Sequence, residues 1–339
     1  MKHKASFSHS LSEEIVQCRL CPSNCRLTPG QRGLCHNRFN ENGELFTENF
    51  GETVTIAIDP IEKKPLYHFL PASDIVSIGA NGCNLFCKHC QNWQISQRRA
   101  PTTYIAPEDL PEVAGQKDSV GVAYTYTEPM IWYEYIMQAA PRIKDAGLVN
   151  VMVSNGYINP EPLKSLLPHI DAYNIDIKGM RPEFYRRVCK GKLEPVLETI
   201  RAIGASQAHM ELTNLVITDL NDSDEDFHKL GEFIVSVDKN IPLHISAYYP
   251  TYELDNPATS TETLLRAYNI LKDYLTYVFV GNRNLPGCSD STCPSCNAAL
   301  IRRVGYQIRV VGLNDNGTCS ECGAVTGIVT KSSASSKTL

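Results

Sequence analysis

Cysteine is the residue type of this chain whose spacing points most directly to chemistry, and eleven of the thirteen cysteines fall into three groups. The groups are Cys18, Cys21, Cys25 and Cys35; Cys83, Cys87 and Cys90; and Cys293, Cys296, Cys319 and Cys322. The chain shows no secretory signal and no apolar run long enough for a membrane span, so we expect a cytoplasmic protein with no membrane partner. Because the cytosol keeps thiols reduced, the three groups indicate bound metal rather than disulfides.

The middle group is a Cys-x3-Cys-x2-Cys string. Three thiolates on one short loop can hold three irons of a [4Fe–4S] cluster, which prefers soft sulfur ligands, and leave the fourth iron open. The open iron suits chelation by the amino and carboxylate groups of S-adenosylmethionine, whose reductive cleavage starts radical chemistry. The alternatives are a three-ligand zinc site and buried thiols.

The C-terminal group consists of two Cys-x2-Cys knuckles separated by 22 residues, a spacing close to that of a four-cysteine zinc ribbon. A hairpin is predicted between the knuckles, with strands at 299–303 and 306–311 and a turn at Val304 and Gly305. Four ligands close the coordination sphere, so we expect a structural Zn²⁺ that folds a small module. Docking of a partner or of nucleic acid is the functional alternative, and the net charge of −5 makes nucleic acid an unfavoured partner.

The N-terminal group, Cys18-x2-Cys21-x3-Cys25-x9-Cys35, fits neither a plain zinc finger nor a standard ferredoxin run. Zinc, an auxiliary iron–sulfur cluster and unligated thiols all remain open for it. Cys189 and Cys288 stand apart from the groups, and an isolated cysteine is usually a small buried hydrophobic residue.

Short apolar β-rich runs alternate with amphipathic stretches between the second and third cysteine groups, which is typical of repeated βα units with a parallel sheet. Strands are predicted at 75–78, 120–124, 149–153, 172–177, 209–216, 242–247 and 277–280. Helices are predicted at 131–146, 161–167, 194–203, 223–237 and 261–274, with Ser223 and Asp226 as a capping start. The fold class is therefore α/β, a partial (β/α)6-type TIM barrel with small cysteine-rich metal-binding modules at both ends. No Gly-x-Gly-x-x-Gly follows the first strand, so a dinucleotide-binding sheet is not favoured.

Unusual polar residues follow several of these strands, and the loops at the carboxyl ends of barrel strands converge on one face. These residues, which we expect at one site with the three-cysteine loop, are Thr127, Glu128, Ser154, Asn155, Asp176, Lys178 and His244. Taken singly, each has a plainer interpretation. Glu128 can simply start a helix, Asn155 can form a turn, and Asp176 with Lys178 can form an ion pair.

The cysteine string, with Gly82 before it and Gln91-Asn92-Trp93 after it, resembles the radical S-adenosylmethionine superfamily, and more closely the relatives of pyruvate formate-lyase activating enzyme. Further motifs make residues 15–325 similar to the radical enzyme family of the AmmeMemoRadiSam system. They are Cys18-x2-Cys-Pro-x2-Cys25, Gly30-x2-Gly33-x-Cys35, Asp59-Pro-Ile-Glu-Lys-Lys-Pro-Leu-Tyr-His68, Tyr124-Thr-Tyr-Thr-Glu-Pro129, Ser154-Asn-Gly-Tyr-Ile-Asn-Pro160 and Leu220-Asn-Asp222.

The resemblance implies roles by position. Cys83, Cys87 and Cys90 match the ligands of the [4Fe–4S] cluster, and Thr127-Glu128 stands where the superfamily contacts the amino group of S-adenosylmethionine, a charge-assisted pairing. Other positions that match polar residues lining the cofactor pocket are Asn155, Asp176, Lys178 and His244. His89 takes the place of an aromatic residue that usually packs on adenine. No catalytic residue is assigned.

The resemblance further implies an enzyme that forms a 5′-deoxyadenosyl radical and takes hydrogen from a substrate, here expected to be a protein, with Memo-like proteins as candidates. A low-potential electron donor of flavodoxin or ferredoxin type is required. The alternative is a non-catalytic iron–sulfur and zinc protein for interaction or electron transfer. The predicted domains are a cysteine-rich segment at 1–70, the barrel at 71–285, the zinc-ribbon-like module at 286–330 and a disordered tail at 331–339.

Overall fold

The computed structural model describes residues 2–332, and its centre is one large sheet of eight strands that lie side by side in sequence order. They are β1 (Thr55–Pro60), β2 (Asp74–Gly79), β3 (Gly121–Tyr124), β4 (Val149–Ser154), β5 (Ala172–Asp176), β6 (His209–Val216), β7 (Leu243–Ala247) and β8 (Val278–Gly281). β1 is antiparallel to β2, and β2 to β8 are parallel. Among the described residues β1 and β8 do not pair, so the sheet is open and the barrel is partial.

This architecture confirms the α/β fold class, with seven parallel strands in a partial barrel that was predicted as a (β/α)6 type. All seven predicted strands are present within two residues of their bounds. The parallel strands are rich in buried apolar residues because such strands are covered on both faces. β1 was missed, since its short apolar run ends in Asp59 and Pro60.

Five helices connect the parallel strands, as predicted: α1 (Tyr133–Asp145), α2 (Pro160–Leu166), α3 (Glu194–Gly204), α4 (Asp224–Val237) and α5 (Thr261–Lys272). The hydroxyl of Ser223 accepts a hydrogen bond from the Asp226 backbone N–H, which confirms the predicted N-cap of α4. The shorter helical segments are Trp93–Ser96, Leu110–Ala114, Pro182–Phe184, the π-helical turn Tyr185–Cys189, and 3-10 turns at Ile61–Lys63, Gln116–Asp118, Pro129–Trp132 and Leu167–His169.

The inner face of the sheet is covered at the amino ends of its strands by the segment between β1 and β2. The segment and the sheet form one buried apolar layer there. Its side chains are Ile61, Leu66, Phe69 and Leu70 from the segment and Ile75, Ala123, Val151 and Ala172 from the sheet. This layer fills that part of the inner face with apolar side chains, and a cavity lies toward the carboxyl ends of the strands.

The N-terminal segment forms small antiparallel sheets that pack on the large one. Their strands are His3–Lys4 with Arg38–Glu41 and Glu44–Thr47; Ser8–Ser10 with Val16–Cys18 and Arg26–Leu27; and Glu52–Thr53 with Thr103–Tyr104. A buried ion pair between Arg38 and Glu134 of α1 fastens the segment to the helical layer.

The C-terminal module has three antiparallel strands, Ser291–Thr292, Ala299–Val304 and Gln307–Val310, which confirms the predicted hairpin with Gly305 at a φ of 58° in its turn. Its small core holds Leu300, Ile301 and Ile328. Residues 333–339 of the predicted tail lie outside the described residues. Within residues 2–332, no helix combines the length and the apolar character that crossing a bilayer requires.

Candidate active site

A cavity of about 360 Å³ opens at the carboxyl ends of the parallel strands. It is lined by most of the residues that the sequence predicted to converge: Cys83, Cys87, Cys90, Thr127, Glu128, Ser154, Asn155, Asp176 and Lys178. These residues come from the loops after β2, β3, β4 and β5, so the convergence expected of a barrel face is observed.

The three-cysteine loop after β2 is held by backbone hydrogen bonds to the π-helical turn, from Phe86 N to Cys189 O at 2.9 Å and from Lys88 N to Val188 O at 3.0 Å. Within residues 2–332, the sulfurs of Cys83, Cys87 and Cys90 do not all lie within 4.8 Å of one another. The three thiols are therefore not gathered closely enough to ligate one metal ion together. This arrangement suits a cluster that offers each thiolate its own iron.

Polar groups approach the sulfurs of this loop. Asn155 Nδ2 lies 3.5 Å from Cys83 Sγ, and Ser96 Oγ lies 3.1 Å from Cys90 Sγ. Gly82 enters the loop with a φ of +100°, and a Cβ there would lie 2.4 Å from Asn37 Nδ2. Only glycine fits that position, so the loop is held close to the N-terminal segment.

His89 points its ring into the cavity wall between two of the cysteines. It is 5% exposed, and its Nδ1 has no hydrogen-bond partner within residues 2–332. Burial lowers the pKa of His89 to about 3, so the ring is neutral. A buried ring nitrogen left unpaired is costly, which suits a site that a polar ligand completes.

Glu128 lies at the start of the 3-10 turn after β3 and is 2% exposed. Its carboxylate accepts hydrogen bonds from Met130 N at 2.9 Å, Ser154 Oγ at 2.7 Å and Asn155 N at 2.8 Å. Burial raises the pKa of Glu128 to about 7, although these hydrogen bonds oppose the shift. Glu128 thus joins the ends of β3 and β4 and also faces the cavity.

Thr127 lines the cavity while its hydroxyl donates to Ala80 O at 2.7 Å. Across the cavity, Lys178 Nζ lies 3.1 Å from Asp176 Oδ2. Burial alone would lower the pKa of Lys178, but Asp176, with smaller contributions from Cys87, Cys189 and Tyr185, outweighs burial and raises that pKa well above its ordinary value. The cavity therefore holds a positive charge at Lys178 as well as the carboxyl group of Glu128.

His244 does not line this cavity. Its Nε2 lies 2.6 Å from the carboxylate of Glu211, and its ring packs edge-on against Tyr67. His244 is the second residue of β7, near the amino end, whereas Ser246 of the same strand reaches the cavity. The alternation of a strand puts both residues on one face, but only the later one lies at the carboxyl edge.

Glu211 was not singled out by the sequence. It is fully buried, and it accepts hydrogen bonds from the backbone N–H groups of Tyr67 at 3.0 Å and His68 at 2.7 Å. Burial would raise the pKa of Glu211, but bonds from His209 and His244 hold it well below its usual range. The available signal was an acidic residue between Met210 and Leu212 within a strand predicted to be buried.

Two lysines of the segment after β1 also line the cavity. Lys64 is 2% exposed and donates to Asp59 Oδ2 at 2.8 Å, and the Tyr126 hydroxyl donates to the same oxygen at 2.7 Å. Burial lowers the pKa of Lys64 against the opposing effect of Asp59. The sequence left residues 59–68 without a role, and the structure places Lys63 and Lys64 on the cavity wall.

The C-terminal cysteines form a compact group. The sulfurs of Cys293, Cys296, Cys319 and Cys322 all lie within 4.8 Å of one another, with Cys293 to Cys322 at 3.6 Å and Cys296 to Cys319 at 3.8 Å. Four mutually close thiols are a metal-binding arrangement. The module is joined to the segment between β1 and β2 by Arg303, which donates to Tyr67 O at 2.7 Å.

The family model that matches this chain agrees with the three-cysteine loop found in the cavity. Residues 77–234 match the family model described as the Radical SAM superfamily. An uncharacterized protein of Methanocaldococcus jannaschii is 41% identical over 335 residues, which cover 96% of this chain and 99% of that protein. The pyruvate formate-lyase-activating enzyme of Staphylococcus epidermidis is 24% identical over 180 residues, covering 50% of this chain and 72% of that enzyme. Among solved structures, a domain of pyruvate-formate lyase-activating enzyme from Bacteroides vulgatus has a TM-score of 0.43 at 19% identity, covering 48% of this chain and 99% of that one.

Proposed function

Because this chain belongs to the radical S-adenosylmethionine superfamily, we propose that its cavity binds a [4Fe–4S] cluster and S-adenosylmethionine and that its radical chemistry, like that of the activating enzymes, acts on a protein substrate. The observation that carries the proposal is the meeting of Cys83, Cys87 and Cys90 with Glu128, Asn155 and Lys178 in one cavity. Local sequence spacing alone does not bring these six side chains together.

The three thiols would hold three irons of the cluster, with the Asn155 amide and the Ser96 hydroxyl beside two of the sulfurs. Hydrogen bonds to the sulfurs of a cluster tune its reduction potential. Once bound and reduced, the cluster supplies the electron that cleaves S-adenosylmethionine to methionine and a 5′-deoxyadenosyl radical able to take a hydrogen atom from substrate.

The chain's own polar side chains would orient the cofactor by charge. Lys178 offers its ammonium to a carboxylate, and the Glu128 carboxyl lies on the wall that would face an ammonium. Such pairs are strong because the side chains are largely withdrawn from water. The unpaired Nδ1 of His89 would accept a hydrogen bond from a bound polar group.

A protein substrate is supported by the activating enzymes among the relatives. The cavity opens at the carboxyl ends of the strands, and a peptide loop of the substrate would enter there. Memo-like proteins remain candidates through the AmmeMemoRadiSam resemblance. Cleavage also needs a low-potential donor of flavodoxin or ferredoxin type.

For the C-terminal group we propose a structural zinc ion. Tetrahedral Zn–S bonds of about 2.3 Å put sulfurs about 3.8 Å apart, close to the two separations of this group. Its four ligands leave no open position for a substrate.

The test is anaerobic reconstitution followed by dithionite and S-adenosylmethionine. We expect release of 5′-deoxyadenosine and methionine, loss of that release in Cys83→Ala, and no change in Cys288→Ala, which removes a buried cysteine outside the three groups. Absence of 5′-deoxyadenosine with several reductants would overturn the proposal. It would favour a non-catalytic carrier, whose cluster would show no change in its electron paramagnetic resonance spectrum when S-adenosylmethionine is added.

A further inference from the structure

The four N-terminal cysteines converge although seventeen positions separate Cys18 from Cys35. Cys18 N donates to Cys25 O at 2.9 Å, and all four thiols line one small cavity with Gly33, Arg38 and Asn84. A shared enclosed cavity indicates a common ligand.

The distances between the four sulfurs distinguish a site for one zinc ion from a site for an iron–sulfur cluster. Within the described residues, no three of the N-terminal sulfurs lie within 4.8 Å of one another, whereas all four C-terminal sulfurs do. A single zinc ion draws its four sulfurs to about 3.8 Å apart. In a cubic cluster each thiolate binds a different iron at a different corner, so the sulfurs stand farther apart. We propose that Cys18, Cys21, Cys25 and Cys35 bind a second [4Fe–4S] cluster.

Arg38 gives this cavity a buried positive charge. It is 1% exposed, and its Nη1 lies 3.7 Å from Cys18 Sγ. It forms an ion pair with Glu134, and its Nε has no hydrogen-bond partner among residues 2–332. A cluster with four thiolates is anionic, so a guanidinium beside it is stabilising. A cluster sulfide would also satisfy the unpaired Nε.

The proposed cluster adjoins the active-site loop. A Cβ on Gly82 would lie 2.7 Å from the carbonyl oxygen of Cys35, so the two backbones are in contact just before Cys83. Asn84, which lines the N-terminal cavity, accepts a hydrogen bond from Asn155 Nδ2 at 2.9 Å, and Asn155 lines the active-site cavity. Four protein ligands leave no iron open, so this cluster would not bind S-adenosylmethionine.

Metal content of the full chain, reconstituted anaerobically with iron and sulfide and supplied with zinc, tests the inference without any measurement of activity. Two clusters and one structural zinc require about eight iron atoms and one zinc per chain. About four iron atoms and two zinc ions would overturn the inference. This count on the unaltered protein decides the matter even if a variant fails to fold.

Cysteine variants show which group of cysteines binds each cluster. The triple variant C83A/C87A/C90A should keep about four iron atoms and a reduced-cluster paramagnetic signal that S-adenosylmethionine does not alter. The triple variant C21A/C25A/C35A should keep about four iron atoms whose signal does respond, and Cys288→Ala should keep all eight. Iron lost completely from C83A/C87A/C90A, with the zinc content raised to two, would refute the second cluster while leaving the proposed function intact.

Discussion

Replacing Glu128 by glutamine removes one charge from the cavity and keeps the length of the side chain. The carboxylate accepts three hydrogen bonds, from Met130 N, Ser154 Oγ and Asn155 N, at 2.7 to 2.9 Å. Glutamine has one acceptor oxygen and one NH₂ group, so at least one of these donors loses its acceptor. A buried donor without a partner costs about 1–3 kcal/mol. We expect Glu128→Gln to lower the free energy of unfolding by that amount.

The effect on cofactor affinity depends on ionisation. A charge-assisted hydrogen bond to the cofactor ammonium contributes about 1.5–3 kcal/mol, or about 10- to 150-fold in affinity. Because burial raises the pKa of Glu128 to about 7, the carboxyl is mostly neutral at pH 6 and mostly ionised at pH 8. The ratio of unaltered to variant affinity should therefore be several times larger at pH 8 than at pH 6.

The assay is equilibrium dialysis of S-adenosylmethionine against anaerobically reconstituted protein at matched iron content. Titration of the cofactor itself affects both proteins equally and cancels from the ratio. Glu183→Gln makes the same chemical change at an exposed side chain and should leave both affinity and stability unchanged. A ratio of one at both pH values would refute the cofactor contact and leave Glu128 only as a link between β3 and β4.

Three other results are expected. Cys319→Ser should remove the zinc and lower the melting temperature of the C-terminal module, and zinc retained in full on metal analysis would contradict the four-thiol site. Arg303→Met breaks buried hydrogen bonds to Ser289 O, Ser291 Oγ and Tyr67 O. It should cost about 3 kcal/mol and increase protease cleavage between sheet and module, and an unchanged cleavage rate would count against this anchor. Burial lowers the pKa of His68 to about 3. As the pH falls through 6.5, the His68 imidazole therefore becomes protonated in the unfolded chain but stays neutral in the folded protein. Stability should fall as the pH drops below 6.5, and denaturation curves of His68→Gln should show a shallower fall.

Much of the fold could be read from local pattern. β4 and β6 are rich in apolar residues because parallel strands are buried on both faces, and the seven predicted strands were found for that reason. The cap at Ser223 was found because its side chain bonds only three residues along the chain. The antiparallel β1 was missed because its apolar run is only three residues long and ends in Asp59 and Pro60.

The site was predicted in part. Glu128, Asn155 and Lys178 follow strand ends, and strand ends of a parallel sheet meet at one edge. His244 fell outside the cavity because a strand pattern gives the face of a residue but not its depth along the strand. Lys64 reaches the cavity through a segment that crosses the inner face, and nothing local encodes that crossing.

By itself, the sequence predicted metal binding by three groups of cysteines and βα units that carry the middle group, because ligand type and short-range spacing are properties of nearby residues. The tertiary structure decided which thiols share a cavity and how far apart their sulfurs stand. It places all four C-terminal sulfurs within 4.8 Å of one another and does not do so for the N-terminal ones. Separation along the chain does not fix separation in space, because the distance from Cys18 to Cys35 is set by how the strands and turns of the N-terminal segment fold back on one another.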